Sequence, residues 1–520
     1  MENPTLSIRD ILREQTERTR LSSRAEIAQY IEDCVSKIAS LESQIDALIA
    51  LRDHERDTIQ VLRHITSPIR SLPVELLSEI FDLTIRDQTH IMIKDTFRIS
   101  QVCSDWRHVA HNTARLWTRP LQVSPWRRSP KSERAYIAGL NTWLARSGTL
   151  PISLKLHVDL RTPSDYRSST RTIRDCAPSA DSPIWEEVFK TSCRWHSLDF
   201  YVESFYGWGF PAQSCPCYRG LAQYSLDRLE VLKFAPGDDD TVIIHFGPAP
   251  RLQTLSLVIE QQPHLPEIIL PWIQITTLSL NFLYTTEYVL PIMMKIFGQC
   301  PNLTQASVCC TPSIDLPKVE PIVTFHRLRT LSLHSIEGVE EDLHLAPFFD
   351  RLCLPALEEL VWDNDDNRIE WDEERFSAFQ LRSPNISRLE FVNPDPISSD
   401  DLRAILRHAT NLTHLKIGFI NNSWNRATCR ALTYKEGVPP LVPLLHHLVI
   451  LSTEDGDAED LFVKQNVLWK PLATFLASRH WTDAQLASRA VPPAVARWTH
   501  VEIADKVLDL SEDEITWDWM

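Results

Sequence analysis

Apolar residues recur through much of the chain in the phrase L-x-x-L-x-L, in which other apolar residues often replace leucine. Nine copies begin at Leu229, Leu252, Ile275, Leu303, Leu328, Leu357, Ile386, Leu412 and Leu445, and outlying copies begin at Trp195 and Trp498. The start-to-start spacings of the nine copies are 23, 23, 28, 25, 29, 29, 26 and 33 residues. The apolar–polar alternation predicts a strand in each copy, and the regular period predicts stacked repeats over residues 191–510, closed by a C-terminal cap.

Helical patterns lie between several copies of the phrase, at Tyr288–Phe297, Glu340–Leu352, Glu373–Leu381 and Asp400–His408. Strand and helix in alternation predict an α/β solenoid, in which a parallel sheet is lined by outer helices. Side chains alternate along a strand, so the residue between the last two apolar positions of each phrase points away from the core. These residues form a predicted partner-binding face: Lys233, Ser256, Ser279, Ser307, Ser332, Val361, Glu390, Lys416 and Val449. The alternative is a solvated sheet face that binds nothing.

A seven-residue pattern runs through residues 24–66, after a polar segment (1–23) that is predicted to be flexible. One seam holds Ile31, Ile38, Ile45 and Ile59 and is interrupted by Arg52; the other holds Ile27, Cys34, Leu41, Leu48 and Leu62 and is interrupted by Glu55. The pattern predicts a long helix that could form a coiled coil. Two alternatives are open: the helix folds back on its own chain, or the chain self-associates through residues 27–62.

A pair of short helices is predicted within residues 67–120. Pro73 suits the first position of a helix, Glu75 lies near its positive end, and Leu76, Leu77, Ile80 and Phe81 make one apolar face. After a polar break, a second face repeats at intervals of three and four residues: Ile99, Val102, Cys103, Trp106, Val109 and Ala110. Residues 121–190 then predict a linker that contains a helix and a first strand, and residues 511–520 an acidic tail.

The Leu72-Pro73-x-Glu75-Leu76 start, the Val102-Cys103-x-x-Trp106 segment and the closing Leu116-Trp117 resemble an F-box. In that family the module docks on the Skp adaptor of a cullin–RING ubiquitin ligase. The resemblance implies these candidates for the adaptor interface: Leu72, Pro73, Leu76, Ile80, Phe81, Val102 and Trp106. Some of them must form the core of the module; we expect Trp106 in the core, and Leu72 and Pro73 among the contacts.

The repeats resemble the leucine-rich repeat family in an irregular form. The Asn or Cys that the family carries three residues after the last apolar strand position is absent, and Gly237, Glu260, Leu283 and Thr311 stand there instead. An F-box-like module followed by such repeats, a layout abundant in fungal genomes, resembles the substrate receptor of an SCF-type ubiquitin ligase. The alternative is a non-catalytic scaffold in which the F-box-like helices only cap the solenoid; a cap would be buried, whereas a docking module keeps its apolar face accessible.

Composition and the absence of known motifs argue against several classes of function. Of 520 residues 43% are hydrophobic and 23% charged, as in globular proteins, and the net charge of −16 argues against nucleic acid as a partner. H-E-x-x-H, G-x-S-x-G, P-loop and C-x-x-C motifs are absent, so we predict no enzyme, no cofactor and no metal. The uncharged segment 268–286 alternates like a strand, so no membrane span is predicted. Eleven scattered cysteines favour a reduced setting, cytoplasmic and/or nuclear.

Overall fold

A computed structural model shows an α/β protein with a long N-terminal helix and a large parallel sheet. It describes residues 21–86, 94–123, 130–159, 183–203, 216–236, 243–260, 267–283, 289–310, 322–335, 343–344, 346–364, 369–392, 397–418, 424–451, 466–481, 483–488, 492–503, 506–508 and 510. The predicted acidic tail and all but the last residues of the predicted flexible N-terminus lie outside these ranges. The chain forms two compact units, Met1–Asp87 and Gln88–Met520, so the boundary falls inside the predicted F-box-like module.

The first unit contains the long helix α1 (Leu21–Ile65), a 3₁₀ turn (Pro68–Ser71) and helix α2 (Val74–Arg86). The long helix predicted from the heptads is thereby confirmed. In α2 the N–H of Leu77 donates to the carbonyl of Pro73 at 3.0 Å, so Pro73 stands just before the first helical residue rather than in it. The fixed φ of Pro73 and the acidic Glu75 in the first turn explain why the helix starts here.

The second unit begins with α3 (Lys94–Gln101), α4 (Ser104–Asn112) and a 3₁₀ turn (Ala114–Trp117). The single second helix expected through Ile99–Ala110 is therefore broken at Val102 and Cys103. The cause is local: the Cys103 backbone is extended, and its Sγ accepts a hydrogen bond from the Trp106 N–H at 3.5 Å, which caps α4.

Trp117 organises the core that follows these helices. Its side chain is fully buried, and its Nε1–H donates to the carbonyl of Ala110 at 2.7 Å. The ring packs edge-on against Phe97 and Trp143, with centroids 5.6 and 4.9 Å away, and the Arg146 guanidinium lies 4.5 Å from its centroid. Because Trp143 and Arg146 lie on α5 (Pro130–Arg146), the closing Leu116-Trp117 of the motif joins the short helices to the next element.

Twenty strands lie in the second unit's described residues: β1 (Leu121–Val123), β2 (Ile152–Asp159), β3 (Trp195–Glu203), β4 (Val231–Ala235), β5 (Ile243–His245), β6 (Thr254–Glu260), β7 (Glu267–Ile269), β8 (Thr277–Leu283), β9 (Gln305–Cys310), β10 (Val323–Thr324), β11 (Thr330–Ser335), β12 (Leu343–His344), β13 (Leu352–Cys353), β14 (Glu359–Asn364), β15 (Ile369–Glu370), β16 (Arg388–Val392), β17 (His414–Gly418), β18 (His447–Leu451), β19 (His500–Ile503) and β20 (Lys506–Val507). Fourteen of them form one sheet in the order β1-β2-β3-β4-β6-β8-β9-β11-β14-β16-β17-β18-β19-β20. Neighbours in it are parallel except β19 and β20.

The apolar phrases account for this sheet. Every apolar position of the eleven copies that begin at Trp195 to Trp498 is at most 4% exposed, which confirms the strand prediction for each copy. The sheet also starts earlier than the repeats indicate, because β1 and β2 extend it back to Leu121. Three small parallel sheets (β5–β7, β10–β13, β12–β15) join segments that connect successive main strands.

Helices follow most of the main strands: α6 (Pro183–Phe189), α7 (Pro216–Gln223), α8 (Val289–Gln299), α9 (Ala346–Arg351), α10 (Glu373–Arg382), α11 (Ser399–His408), α12 (Arg426–Leu432), α13 (Asn466–Ala477) and α14 (Asp483–Ser488). Capping side chains define where three of these helices begin. Asp372 caps α10, Ser398 and Asp401 form a capping box on α11, and Asn425 caps α12. Three of the four helices predicted between phrases correspond to α8, α10 and α11. The prediction of a helix over Glu340–Leu352 was too long: among the described residues the helix is α9 (Ala346–Arg351), and the short strands β12 and β13 lie on either side of it.

Side-chain amides connect successive copies of the apolar phrase just before the strands. Nδ2 of Asn302, Asn385 and Asn411 donates to the carbonyls of Ile273, Pro355 and Pro384, at 2.7, 2.7 and 3.0 Å. Each amide stands directly before the first apolar residue of its phrase, not after the strand where the leucine-rich repeat pattern expects it. Amides thus connect successive copies of the phrase, but from a position before the strand.

Arg479 anchors the C-terminal end of the sheet and is fully buried. Its Nη1 donates to the carbonyls of Val442 (3.0 Å) and Leu445 (3.3 Å), and its Nη2 to those of Leu432 (3.4 Å) and Leu441 (3.5 Å). Burial lowers the pKa of Arg479 to about 10, so the guanidinium stays charged at neutral pH. Val442 has a φ of 51°, a strained conformation for a β-branched residue, and Arg479 holds its carbonyl in place.

Two further features concern the cysteines and the helices of the described residues. Eight cysteines of the described residues are free thiols, whereas Cys217 is disulfide-bonded. Within the same residues, no helix has both the length and the apolar content that crossing a membrane requires.

Candidate functional site

Helix α2 has two apolar faces, and only one of them is buried. Leu77, Phe81 and Ile85 follow one another at intervals of four residues, and all are buried. Leu76, Ile80 and Leu83 lie on the other side of the helix and are 54, 41 and 50% exposed. We call these three residues the α2 stripe. Side chains three and four residues apart are neighbours on a helix, so the stripe is a continuous apolar surface open to solvent.

The predicted adaptor contacts of the first unit do not all lie on the exposed face. Leu76 and Ile80 belong to the α2 stripe. Just before the helix, Pro73 is exposed and Leu72 is half-buried. Phe81 is only 2% exposed, so we assign it to the core rather than to the adaptor surface. Leu83 was not predicted, although its position seven residues after Leu76 is a signal that the sequence contains.

Val102 and Trp106 belong to the second unit. Val102 lies in the break between α3 and α4 and is exposed, as a contact residue must be. Trp106 is half-buried on α4 rather than enclosed in the core. Phe97 on α3, which was not predicted, is also partly exposed while its ring packs on Trp117.

The predicted repeat face forms one continuous row across the sheet. Its nine residues pair strand by strand in the register Lys233–Ser256–Ser279–Ser307–Ser332–Val361–Glu390–Lys416–Val449. Register extends the row at both ends, to Gln122, Lys155 and Asp199 on one side and to Glu502 on the other. Eight of the nine predicted residues are exposed or half-buried, and Val449 is buried.

Polarity divides this face into two halves. From β6 to β11 the row carries four successive serines, and the neighbouring row carries Thr254, Thr277, Gln305 and Thr330, so this half is neutral. From β16 to β19 it carries charges, and Lys416 Nζ lies 3.2 Å from Glu390 Oε2. The charged half also contains residues that the phrase pattern did not single out.

Four histidines cluster on that charged half: His414, His446, His447 and His500. His414, His447 and His500 are register partners on three adjacent strands, and their rings lie 4.7 and 4.3 Å apart between centroids. The His446 ring lies 5.1 Å from that of His414. Two threonines orient the rings: Thr413 Oγ1 is 2.8 Å from His414 Nδ1, and Thr499 Oγ1 is 2.8 Å from His446 Nδ1.

Burial and neighbouring positive charge lower the pKa of two of these histidines, His414 and His447. Desolvation lowers the pKa of His414 from 6.5 to about 4, and the charges of Arg388, His447 and His446 act in the same direction. Desolvation also lowers the pKa of His447, with further lowering by His500, Arg388 and His446 and an opposing effect of Glu502. Among the described residues, no group of three or more His, Cys, Asp or Glu side chains is arranged to hold a metal ion.

The histidine cluster predicts a loss of stability on mild acidification. Below pH 6.5 the unfolded chain binds a proton at His414, whereas the folded chain does not until about pH 4, so stability falls across this window. Because the side chain is half exposed, solvent screening reduces the effect, and we expect about 1 kcal/mol from His414 between pH 7 and pH 5. Urea unfolding at both pH values measures it.

The substitution His414→Gln keeps a polar side chain but removes the titration. The variant should lose about 1 kcal/mol less than the wild type between pH 7 and pH 5, relative to its own stability at pH 7. Equal losses in the two proteins would contradict the assigned pKa.

Comparison with known proteins identifies one part of the chain. A family profile described as F-box-like matches residues 69–123, from the turn before α2 to the last residue of β1. No curated protein matches the chain. F-box-like domains generally bind Skp adaptors, so this domain suggests a role in binding the adaptor of an SCF-type ligase.

Proposed function

We propose that the chain is a substrate-recognition subunit of an SCF-type ubiquitin ligase. Its F-box-like domain would bind the Skp adaptor, and through it the cullin, while the exposed face of the sheet would hold the protein to be ubiquitinated. The observation that carries the proposal is the α2 stripe, an apolar surface left open on the helix that begins the matched domain. The chain would carry no active site, since the transfer chemistry belongs to its partners.

The α2 stripe argues against the scaffold alternative. A helix that served only as a cap would bury its apolar residues, yet Leu76, Ile80 and Leu83 stay about half exposed. Leu77, Phe81 and Ile85 account for the buried side of α2. A second apolar surface on the same helix is therefore available for a partner.

The substrate half of the proposal depends on the repeats, which we propose to be irregular leucine-rich repeats of a fungal type, stacked as a solenoid. Three observations support this: successive strands are neighbours in the sheet, connecting segments pair in parallel as well, and amides bridge one repeat to the next. Stacked repeats commonly bind partners on the strand face. We propose that the row from Lys233 to Val449 is that face. We also propose that the protein acts in the cytoplasm and/or the nucleus.

Co-elution of the purified full chain with a Skp adaptor tests the function. We expect a stoichiometric complex that a cullin N-terminal domain joins through the adaptor. The double substitution Leu72→Ala, Pro73→Ala should weaken the complex about 10-fold or more, since it removes apolar contact area at the start of α2. A wild-type chain that is folded by circular dichroism but binds no adaptor would overturn the proposal and favour the scaffold.

A further inference from the structure

The long helix α1 presents an apolar surface that the folded chain leaves open. Its 45 residues span about 68 Å at the rise of an α-helix. Eight large apolar residues of the two seams are each between 47 and 65% exposed: Ile27, Ile31, Ile38, Leu41, Ile45, Leu48, Ile59 and Leu62. Every side chain described in α1 is exposed except Cys34, which is half-buried.

The spacing of these residues is that of a coiled coil. In the heptad notation abcdefg, Ile31, Ile38, Ile45 and Ile59 occupy position a, and Ile27, Leu41, Leu48 and Leu62 occupy position d. On a straight α-helix, residues seven apart do not line up, so a stripe with a strict seven-residue period winds slowly around the helix. The stripes of two helices therefore stay in contact only if the helices supercoil around each other. Isoleucine at a with leucine at d favours two parallel strands.

We propose that α1 pairs with α1 of a second copy of this chain as a parallel, in-register coiled coil. Burying about half of each of the eight side chains on both chains removes on the order of 1,000 Å² from water, the size at which specific interfaces begin. This interface is independent of the proposed ligase function. If both hold, each assembly carries two adaptor surfaces and two substrate faces, which strengthens binding to a partner with two copies of a recognised segment.

Charge complementarity identifies a second copy as the partner. In a parallel pair, position g of one helix lies beside position e of the next heptad on the other, which brings Lys37 next to Glu42 of the second copy, twice by symmetry. The other such pairs are Tyr30 with Val35, Gln44 with Ile49, Leu51 with Arg56 and Thr58 with Arg63. None of them places like charges together, and several widen the apolar surface.

The charged heptad at Arg52 (position a) and Glu55 (position d) defines the register. Aligned in register, Arg52 faces Arg52 and Glu55 faces Glu55 in two adjacent layers, where the positive layer and the negative layer offset each other's repulsion, and every apolar layer stays intact. A shift by one heptad would place Arg52 and Glu55 against apolar residues of the partner helix. Polar residues in the seam reduce stability but specify register in this way.

The mass of the full chain in solution tests the proposal. Sedimentation velocity or light scattering should give twice the 59.9 kDa of one chain at micromolar concentration. The double substitution Ile38→Glu, Ile45→Glu should raise the dissociation constant at least about 100-fold and yield a monomer. Both residues are exposed in the single chain, so its fold should survive, as circular dichroism would show.

A matched control changes the opposite side of the same helix. Ser36→Glu with Ser43→Glu introduces the same two side chains at the same spacing but at position f, which faces solvent in a coiled coil. The control should remain dimeric. A monomeric wild type, or equal dissociation of the control, would overturn the proposal.

Charge exchange tests the parallel orientation. The single substitutions Lys37→Glu and Glu42→Lys each place like charges together and should weaken the dimer, while the double exchange should restore it. In an antiparallel pair with the helices fully overlapped, Glu42 would instead face Glu42, so Glu42→Lys alone would not weaken the dimer relative to wild type. That result would overturn the parallel arrangement.

Cys34 offers an independent measure of register. At position d it would face Cys34 of the second copy, where diamide should oxidise the two thiols to one S–S bond and take up their two protons and two electrons. Wild-type chain should yield a covalent dimer on a non-reducing gel, and Cys34→Ser should not. A covalent dimer of equal yield in the variant would contradict the in-register pairing.

Discussion

Replacement of Leu76 and Ile80 by aspartate should abolish adaptor binding, with a rise in Kd of at least about 100-fold. Full burial of one such side chain contributes about 1.5–3 kcal/mol, and about half of each surface remains to be buried in the free chain. The double substitution therefore loses about 2 kcal/mol of apolar contact. Each new carboxylate would also be buried without a partner, so the total exceeds about 3 kcal/mol, or about 100-fold.

The fold should tolerate this change, because the α2 stripe is open in the free chain. Binding is measured by interferometry with immobilised adaptor, and circular dichroism with thermal unfolding checks that the variant is folded. Val74→Asp is the matched control: Val74 is also exposed and apolar, but it lies nearly opposite Leu76 around the helix. We expect the control to bind within about threefold of wild type. Tight binding by the Leu76→Asp, Ile80→Asp protein would exclude the stripe as the adaptor surface.

Replacement of Arg479 by methionine should destabilise the C-terminal end of the sheet by about 3–5 kcal/mol. Methionine has a similar length and fills much of the space, so the loss comes from the hydrogen bonds rather than from a cavity. Four carbonyls, those of Leu432, Leu441, Val442 and Leu445, would lose a charged donor in a buried site. The guanidinium also lies 5.9 and 5.7 Å from the Phe475 and Trp498 rings, and these cation–π contacts would disappear.

Urea unfolding and hydrogen exchange measure this loss. Stability is not uniform across a folded chain, so exchange should accelerate first in β18 and β19, which flank Arg479 in the sequence. Arg497→Met is the matched control, because Arg497 is exposed and bonds only to the exposed Asp483 among the described residues. Loss of an exposed ion pair should cost less than about 1 kcal/mol. A small loss of unfolding free energy in Arg479→Met would show that water replaces the guanidinium as the hydrogen-bond donor to these carbonyls.

The sequence determined the elements whose physics is local. Apolar residues at every second position pack on one face of a strand, so the phrases that begin at Leu229 to Leu445 predicted both the strands and the row from Lys233 to Val449. The heptads predicted α1, and the motif from Leu72 to Trp117 identified the segment that matches the F-box-like profile.

The tertiary structure decided the features that depend on what surrounds each residue. Ile80 and Phe81 are adjacent and both apolar, yet Phe81 is buried and Ile80 is exposed, because burial depends on neighbours that the local pattern does not specify. The histidine cluster unites residues from three copies of the apolar phrase, and the pKa values of His414 and His447 fall only when folding removes water and brings positive charge close to them. Arg479 likewise has no local pattern that marks it, since its carbonyl partners lie at least 34 residues away in the chain.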